Sequence, residues 1–193
     1  MYFLFLGFAL FGAFTAATGR AVENAAEITS TSSNVITAYK VYTRRQADTF
    51  LMAASDNLIY VPSLDKAFHV TKNTLFKITF QGSFWNGDND VNFYYQVMVN
   101  DYLIIGNSLV RNNNKQVHGD GGVAYVQHTA TASITVTRIA MVFLPPGTYT
   151  FNIGVRAEMA SGSVARGIVM YELTQFVDNN DDLGDYKLAI LPN

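Results

Sequence analysis

A chain of 193 residues with 49% hydrophobic and 13% aromatic residues against 15% charged ones has enough apolar side chain to close one packed core and lacks the polar bias of a disordered chain. Its net charge of -2 excludes the electrostatic footprint of nucleic-acid binding, which needs clustered Lys and Arg against phosphate. The absence of cysteine removes disulfides, thiolate metal sites and thiol nucleophiles, so stability has to come from packing, self-association or oxygen-ligated metal ions.

Residues 1–19 are uncharged, the first charge being Arg20. They read as a hydrophobic, helical leader or anchor. The small residues Ala13, Ala16, Ala17 and Gly19 supply the stretch at which a signal peptidase cuts, although the positive start of a signal peptide is missing. The run is also just short of the roughly 20 apolar residues that cross a bilayer. A third reading is a helix retained for packing into a filament. All three imply an exported, extracellular product whose contact with a membrane, if the segment is uncleaved, is through this segment alone. Residues 20–34 are small and polar, ending in Thr29-Ser30-Thr31-Ser32-Ser33, which reads as a linker because Ser and Thr compete for backbone hydrogen bonds.

From 35 to 177 short β-like runs alternate with turn signals, which predicts one all-β sandwich domain. Val35 to Thr43 is the first run, then Phe50 to Ala54 and Leu58 to Val61, divided by Asp56-Asn57. After Phe68 and Val70, the run Leu75 to Phe80 puts Phe76, Ile78 and Phe80 on one face and Leu75, Lys77 and Thr79 on the other, as in a half-buried strand. Val91 to Val99 alternates in the same way, with Phe93, Tyr95, Val97 and Val99 inward, and Asn100-Asp101 predicts a hairpin into Tyr102 to Ile105. Gly106 to Gly122 reads as a long polar loop, the kind of segment that often carries function. Val123 to Gln127, Ala132 to Leu144, Thr148 to Ala157 and Val164 to Thr174 complete the strands, with a turn at Pro145-Pro146-Gly147. Residues 178–193 read as an acidic tail, with Tyr186 to Leu191 as a last strand.

The order Phe68-His69-Val70, Leu75 to Phe80, Tyr94 to Leu103, Ile134 to Phe151 with its Pro-Gly turn, and Gly167 to Phe176 resembles the jelly-roll heads of the complement C1q and tumour necrosis factor class, and similar heads on phage and viral fibres. The likeness spans about residues 48 to 176 and lies in layout; the closing strand Val169-Met170-Tyr171-Glu172-Leu173 departs from the family's Phe-Ser-Gly-Phe pattern. It implies a jelly-roll-type β-sandwich, a compact trimer or polymer, and a binding or structural role without catalysis.

Candidate chemistry is sparse. His69, His118 and His128 have no metal-ligand spacing, and His118 beside Asp120 is the most notable of them. No catalytic residue is nominated. Asp88, Asp90 and Asn92 follow a D-x-D-x-N spacing suited to Ca²⁺, yet Phe93 and Val99 stand where the EF-hand has Gly and Glu. Asp178, Asp181, Asp182 and Asp185 are a second acidic group that either binds a cation or stays solvated. Trp85 with Asn86, Asp88 and Asp90 is a candidate glycan-binding loop, the ring stacking on a sugar and the polar groups accepting its hydroxyls. The function expected is that of a non-enzymatic structural subunit of an extracellular assembly, a fibre, filament, tube or trimeric head. A carbohydrate-binding or adhesive module is the alternative.

Overall fold

The computed structural model describes residues 36–86, 90–106, 108–126, 133–158, 161–176 and 189–190. The chain divides into the units Met1–Ser33 and Asn34–Asn193. The first, with the expected leader and nearly all of the linker, lies outside the described residues, as do Asp88, His128, Asp178, Asp181, Asp182 and Asp185. Among the described residues no helix is long and apolar enough to cross a membrane.

The described chain is built of β1 (Ile36–Arg45), β2 (Phe50–Met52), β3 (Ile59–Tyr60), β4 (Lys66–Val70), β5 (Thr74–Asn86), β6 (Val91–Val99), β7 (Tyr102–Ile105), β8 (Ser108–Arg111), β9 (Val123–Val126), β10 (Ser133–Leu144), β11 (Gly147–Glu158), β12 (Gly162–Phe176) and β13 (Ala189–Ile190). Its helical content is one 3-10 turn at Lys115–Val117. One sheet runs β1-β12-β5-β10 with β2 beside β12; the other runs β13-β8-β7-β6-β11-β3, with β4 on β11 and β9 on β6. Among the described strands all pairings are antiparallel except β13 on β8, and an isolated bridge joins Ala54 to Ala157 in parallel. This is an all-β, jelly-roll-type sandwich.

Strict alternation makes the core. In β5, Phe76, Ile78, Phe80 and Phe84 are fully buried, and they meet Phe93, Val97, Phe151, Ile153 and Val155 of the facing sheet. Phe68, Phe76, Phe151 and Tyr171 form one aromatic cluster, with centroids 4.8 to 6.0 Å apart where they touch. Such ring contacts add about 0.5–1.5 kcal/mol each beyond burial. The β6–β7 hairpin turns at Asn100 and Asp101, both at positive φ (47° and 70°), as a two-residue turn matched to strand twist requires. A bulge between Ala165 and Ile168 in β12 holds Arg166 at φ 56°. Buried Gln46 staples it by donating Nε2–H to Val164 O and accepting Gly167 N–H at Oε1.

One expectation changes. The segment Gly106 to Gly122, expected as a loop, contains β8 paired to β7 and the 3-10 turn. Four residues flanked by Asn are too short for a periodicity signal. The turn expected at Pro145-Pro146-Gly147 is present but lies between the two sheets, because β10 pairs β5 while β11 pairs β6 and β4. Two consecutive prolines carry no N–H for a ladder, and the chain passes there from one sheet to the other.

Candidate functional site

The two sheets differ on their outer faces. In the sheet β1-β12-β5-β10 the register aligns Val41, Glu172, Lys77 and Met141 in one row and Thr43, Met170, Thr79 and Ile139 in the next. Tyr39, Val41, Ile139, Met141 and Ile168 on this face are 46–56% exposed. The same face continues past the β12 bulge to Leu51, 78% exposed, in the row that holds Trp85. A single ion pair, Lys77 Nζ to Glu172 Oε2 at 2.9 Å, crosses its middle, and Tyr39 Oη donates to Glu172 Oε1 at 2.7 Å. Those bonds hold the Glu172 carboxyl below its usual range. The result is a face of exposed apolar side chains flanking the polar strip Lys77, Thr79 and Gln81, with one neutralised pair at its middle and exposed Arg45 in the row of Ile168.

The outer face of the other sheet is covered over β6 and β11, while Tyr60, Val123 and Tyr125 beside them stay 42–55% exposed. Cross-strand partners Asn92 and Glu158, Tyr94 and Arg156, Gln96 and Gly154, and Met98 and Asn152 line it. Over it lie Leu58 and the segment 112–122. Leu58, Met98 and Leu103 form a small second core with Val117 packed against it, and Asn112 binds the Leu58 backbone at both N–H and C=O (3.0 and 2.9 Å). Gln96 Nε2 donates to the carbonyls of His118 and Asp120 at 2.8 and 2.9 Å. The approach is close enough that a Cβ on Gly122 would stand 2.1 Å from the Tyr95 carbonyl oxygen.

Beneath this cover sits a polar cluster. Arg156, 4% exposed, donates its Nε–H to Nδ1 of the fully buried His118 at 3.0 Å. Its guanidinium lies 3.8 Å from the Tyr94 ring centroid. Burial first, then the Arg156 charge, pushes the His118 pKa down, the Asn112 backbone pulling the other way. Glu158 Oε2 accepts from Tyr94 Oη (2.6 Å) and Asn92 Nδ2 (3.2 Å), bonds that hold its carboxyl below the usual range. Arg156 and Glu158 line a cleft of roughly 370 Å³ with Ala54, Ser55, Asp56 and Lys115.

The residues singled out from sequence are dispersed. Trp85 is half-buried on the open face of β5, whereas Asn86, the next residue, is buried. Asp90 accepts from Tyr125 Oη at 2.9 Å, and Asn92 pairs with Glu158, so these two members of the D-x-D-x-N run are turned to different partners. Among the described residues no three His or acidic side chains are grouped to hold a metal. His69 contacts Thr148 Oγ1 at 3.0 Å, and His118 meets Arg156. Asp120, its sequence neighbour, contributes its backbone carbonyl to Gln96. The sequence reading missed Arg156, Tyr94 and Glu158. The signal was present in a charged residue interrupting the apolar run of β11, opposite the polar face of β6.

No family model and no curated protein matches the sequence. Solved structures similar to the chain include the globular domain of zebrafish complement 1qA, 7% identical with a TM-score of 0.34, over 71% of this chain and 96% of that one. They also include T=1 particles derived from infectious bursal virus, 10% identical with a TM-score of 0.39, over 73% of this chain and 36% of that one. The VP2 subviral particle of infectious bursal disease virus is 11% identical with a TM-score of 0.37, over 73% and 38%. The C1q class named from the strand pattern is thus among the similar folds. The chain spans little more than a third of the viral chains.

Proposed function

We propose that this protein is a non-enzymatic structural subunit of an extracellular assembly, which self-associates through the outer face of the sheet β1-β12-β5-β10. The observation that carries the reading is the contrast between the faces. One sheet has the middle of its outer surface capped by residues of its own chain, with Tyr60, Val123 and Tyr125 exposed beside the cap, and the other leaves Tyr39, Val41, Ile139, Met141 and Ile168 about half exposed in adjoining rows across its width. Exposed apolar side chains gathered on one face, here on both sides of Lys77, Thr79 and Gln81 of β5, favour an interaction surface on a folded protein.

A second copy is the occupant because the charge at the middle of the face is neutralised within it. The Lys77–Glu172 pair asks for no oppositely charged partner, and a net charge of -2 gives little mutual repulsion between copies. The expected hydrophobic leader, 1–19, agrees with export of such a subunit.

Light scattering on the full chain tests this. The double variant Ile139→Lys/Met141→Lys is expected to lose the oligomeric mass, while Tyr125→Lys, on the other sheet, keeps it. Equal mass for all three chains rules out the face.

A further inference from the structure

We infer that the cleft at the end of β11 is a binding site for a small carboxylate ligand rich in hydroxyls, the chemistry of an acidic monosaccharide. It lies on the sheet opposite the proposed assembly face and stands or falls separately from it.

The argument begins with Arg156. A guanidinium that is 4% exposed carries a large desolvation cost unless a counter-charge accompanies it. Among the described residues Arg156 makes no ion pair; the two salt bridges there are Lys77–Glu172 and Lys115–Asp56. Its neighbours fix it, and Glu158, close enough to feel its charge, forms no ion pair with it. His118 Nδ1 takes Nε–H, the Tyr94 ring lies against the guanidinium, and the Ser55 carbonyl accepts a long bond of 3.4 Å from Nη1. The group is held in place, cationic, and lines a cleft. That is the arrangement that receives a planar carboxylate, because the guanidinium fork matches two oxygens at once.

The rest of the lining argues for hydroxyls on the same ligand. Lys115, half exposed and paired with the largely exposed Asp56, adds a second cation beside Arg156 and is cheaply redirected, since exposed pairs contribute little. Glu158 accepts Tyr94 and Asn92 at Oε2, leaving Oε1 without a partner among the described residues. An ionised carboxylate only accepts hydrogen bonds, so Glu158 and Asp56 call for donors. A simple inorganic anion offers at most one or two and is repelled by both. A sugar acid satisfies the two sides together, its carboxylate at Arg156 and Lys115 and its hydroxyls at Glu158 and Asp56. A volume of roughly 370 Å³ is in the range of small-molecule clefts, about 300–1,000 Å³.

Isothermal titration calorimetry on the full chain at pH 7 tests the assignment with four probes: D-glucuronate, D-glucose, acetate and inorganic phosphate. Glucuronate is expected to bind at least about tenfold more tightly than any of the others, and Arg156→Lys, which keeps the charge and loses the fork, to weaken it about tenfold. Lys115→Ala, an exposed change that leaves Tm unaltered, is expected to weaken it severalfold and keeps the test valid if Arg156→Lys fails to fold. Absence of glucuronate binding overturns the site. So does acetate, glucose or phosphate binding as tightly as glucuronate, or an unchanged affinity in Lys115→Ala.

Discussion

Arg156 Nε donates to His118 Nδ1 at 3.0 Å across 38 residues of sequence, and this bond requires a neutral His118 ring. Nδ1 can accept only if the ring is neutral with its proton on Nε2. A protonated ring would place a second cation against Arg156, with Lys115 adding to the repulsion. The segment 112–122 therefore rests on β11 through a histidine that has to stay uncharged.

A pH dependence follows from that bond. The folded His118 takes up a proton less readily than the unfolded residue, whose pKa is about 6.5. Its contribution to stability is thus complete above that value and is lost as pH falls through it toward the depressed folded pKa. Tm of the full chain is expected to drop between pH 7 and 5, and to drop less in His118→Gln, which keeps an acceptor for Arg156 and does not titrate. Parallel Tm curves for the two chains would remove His118 as the cause.

The seat of the same segment on β6 depends on a missing side chain. Gly122→Ala would set a Cβ 2.1 Å from Tyr95 O and 2.7 Å from Gln96 Nε2, and overpacking of this kind costs about 1–3 kcal/mol. Hydrogen exchange should accelerate at Tyr95 N–H, which donates to Gly122 O at 2.8 Å, while β5 and β12 stay protected. Unchanged exchange at Tyr95 would show that the contact is readily relieved.

The bulge in β12 rests on one amide. Removing Gln46 leaves Val164 O and Gly167 N without the bonds of 2.8 and 2.9 Å they now make. Each orphaned buried group costs about 1–3 kcal/mol. Denaturant unfolding of Gln46→Ala should show a loss of at least about that size. A loss below about 0.5 kcal/mol would mean that the bulge is held by its strands alone.

The strands were legible where alternation ran long enough. Leu75 to Phe80 read correctly as a half-buried strand and Val91 to Val99 as an alternating one, since period 2 over six or more residues is a strong signal. What β6 conceals is its second face. Gln96 and Met98 look solvent-facing in the sequence, and they are buried because residues 112–122, distant in sequence, fold over them. A polar covering segment has no periodicity, and its anchors Asn112 and Gln96 act through single hydrogen bonds that no local pattern announces. The candidate cleft was invisible for the same reason, being assembled from the 54–56 segment, the 3-10 turn and the end of β11. The open face was half legible. Leu75, Lys77 and Thr79 were placed outward, but the exposed Ile139 and Met141 emerge only from the register of β10 on β5.

The absence of cysteine allows the most direct test of the assembly face. A single cysteine placed by Met141→Cys, or by Tyr125→Cys on the other sheet as a control, is labelled with a thiol reagent across a range of protein concentrations. Labelling at position 141 is expected to slow as concentration rises while position 125 reacts at a constant rate, because association buries the first and spares the second. A concentration-independent rate at 141, or protection at 125 instead, would contradict self-association through this face.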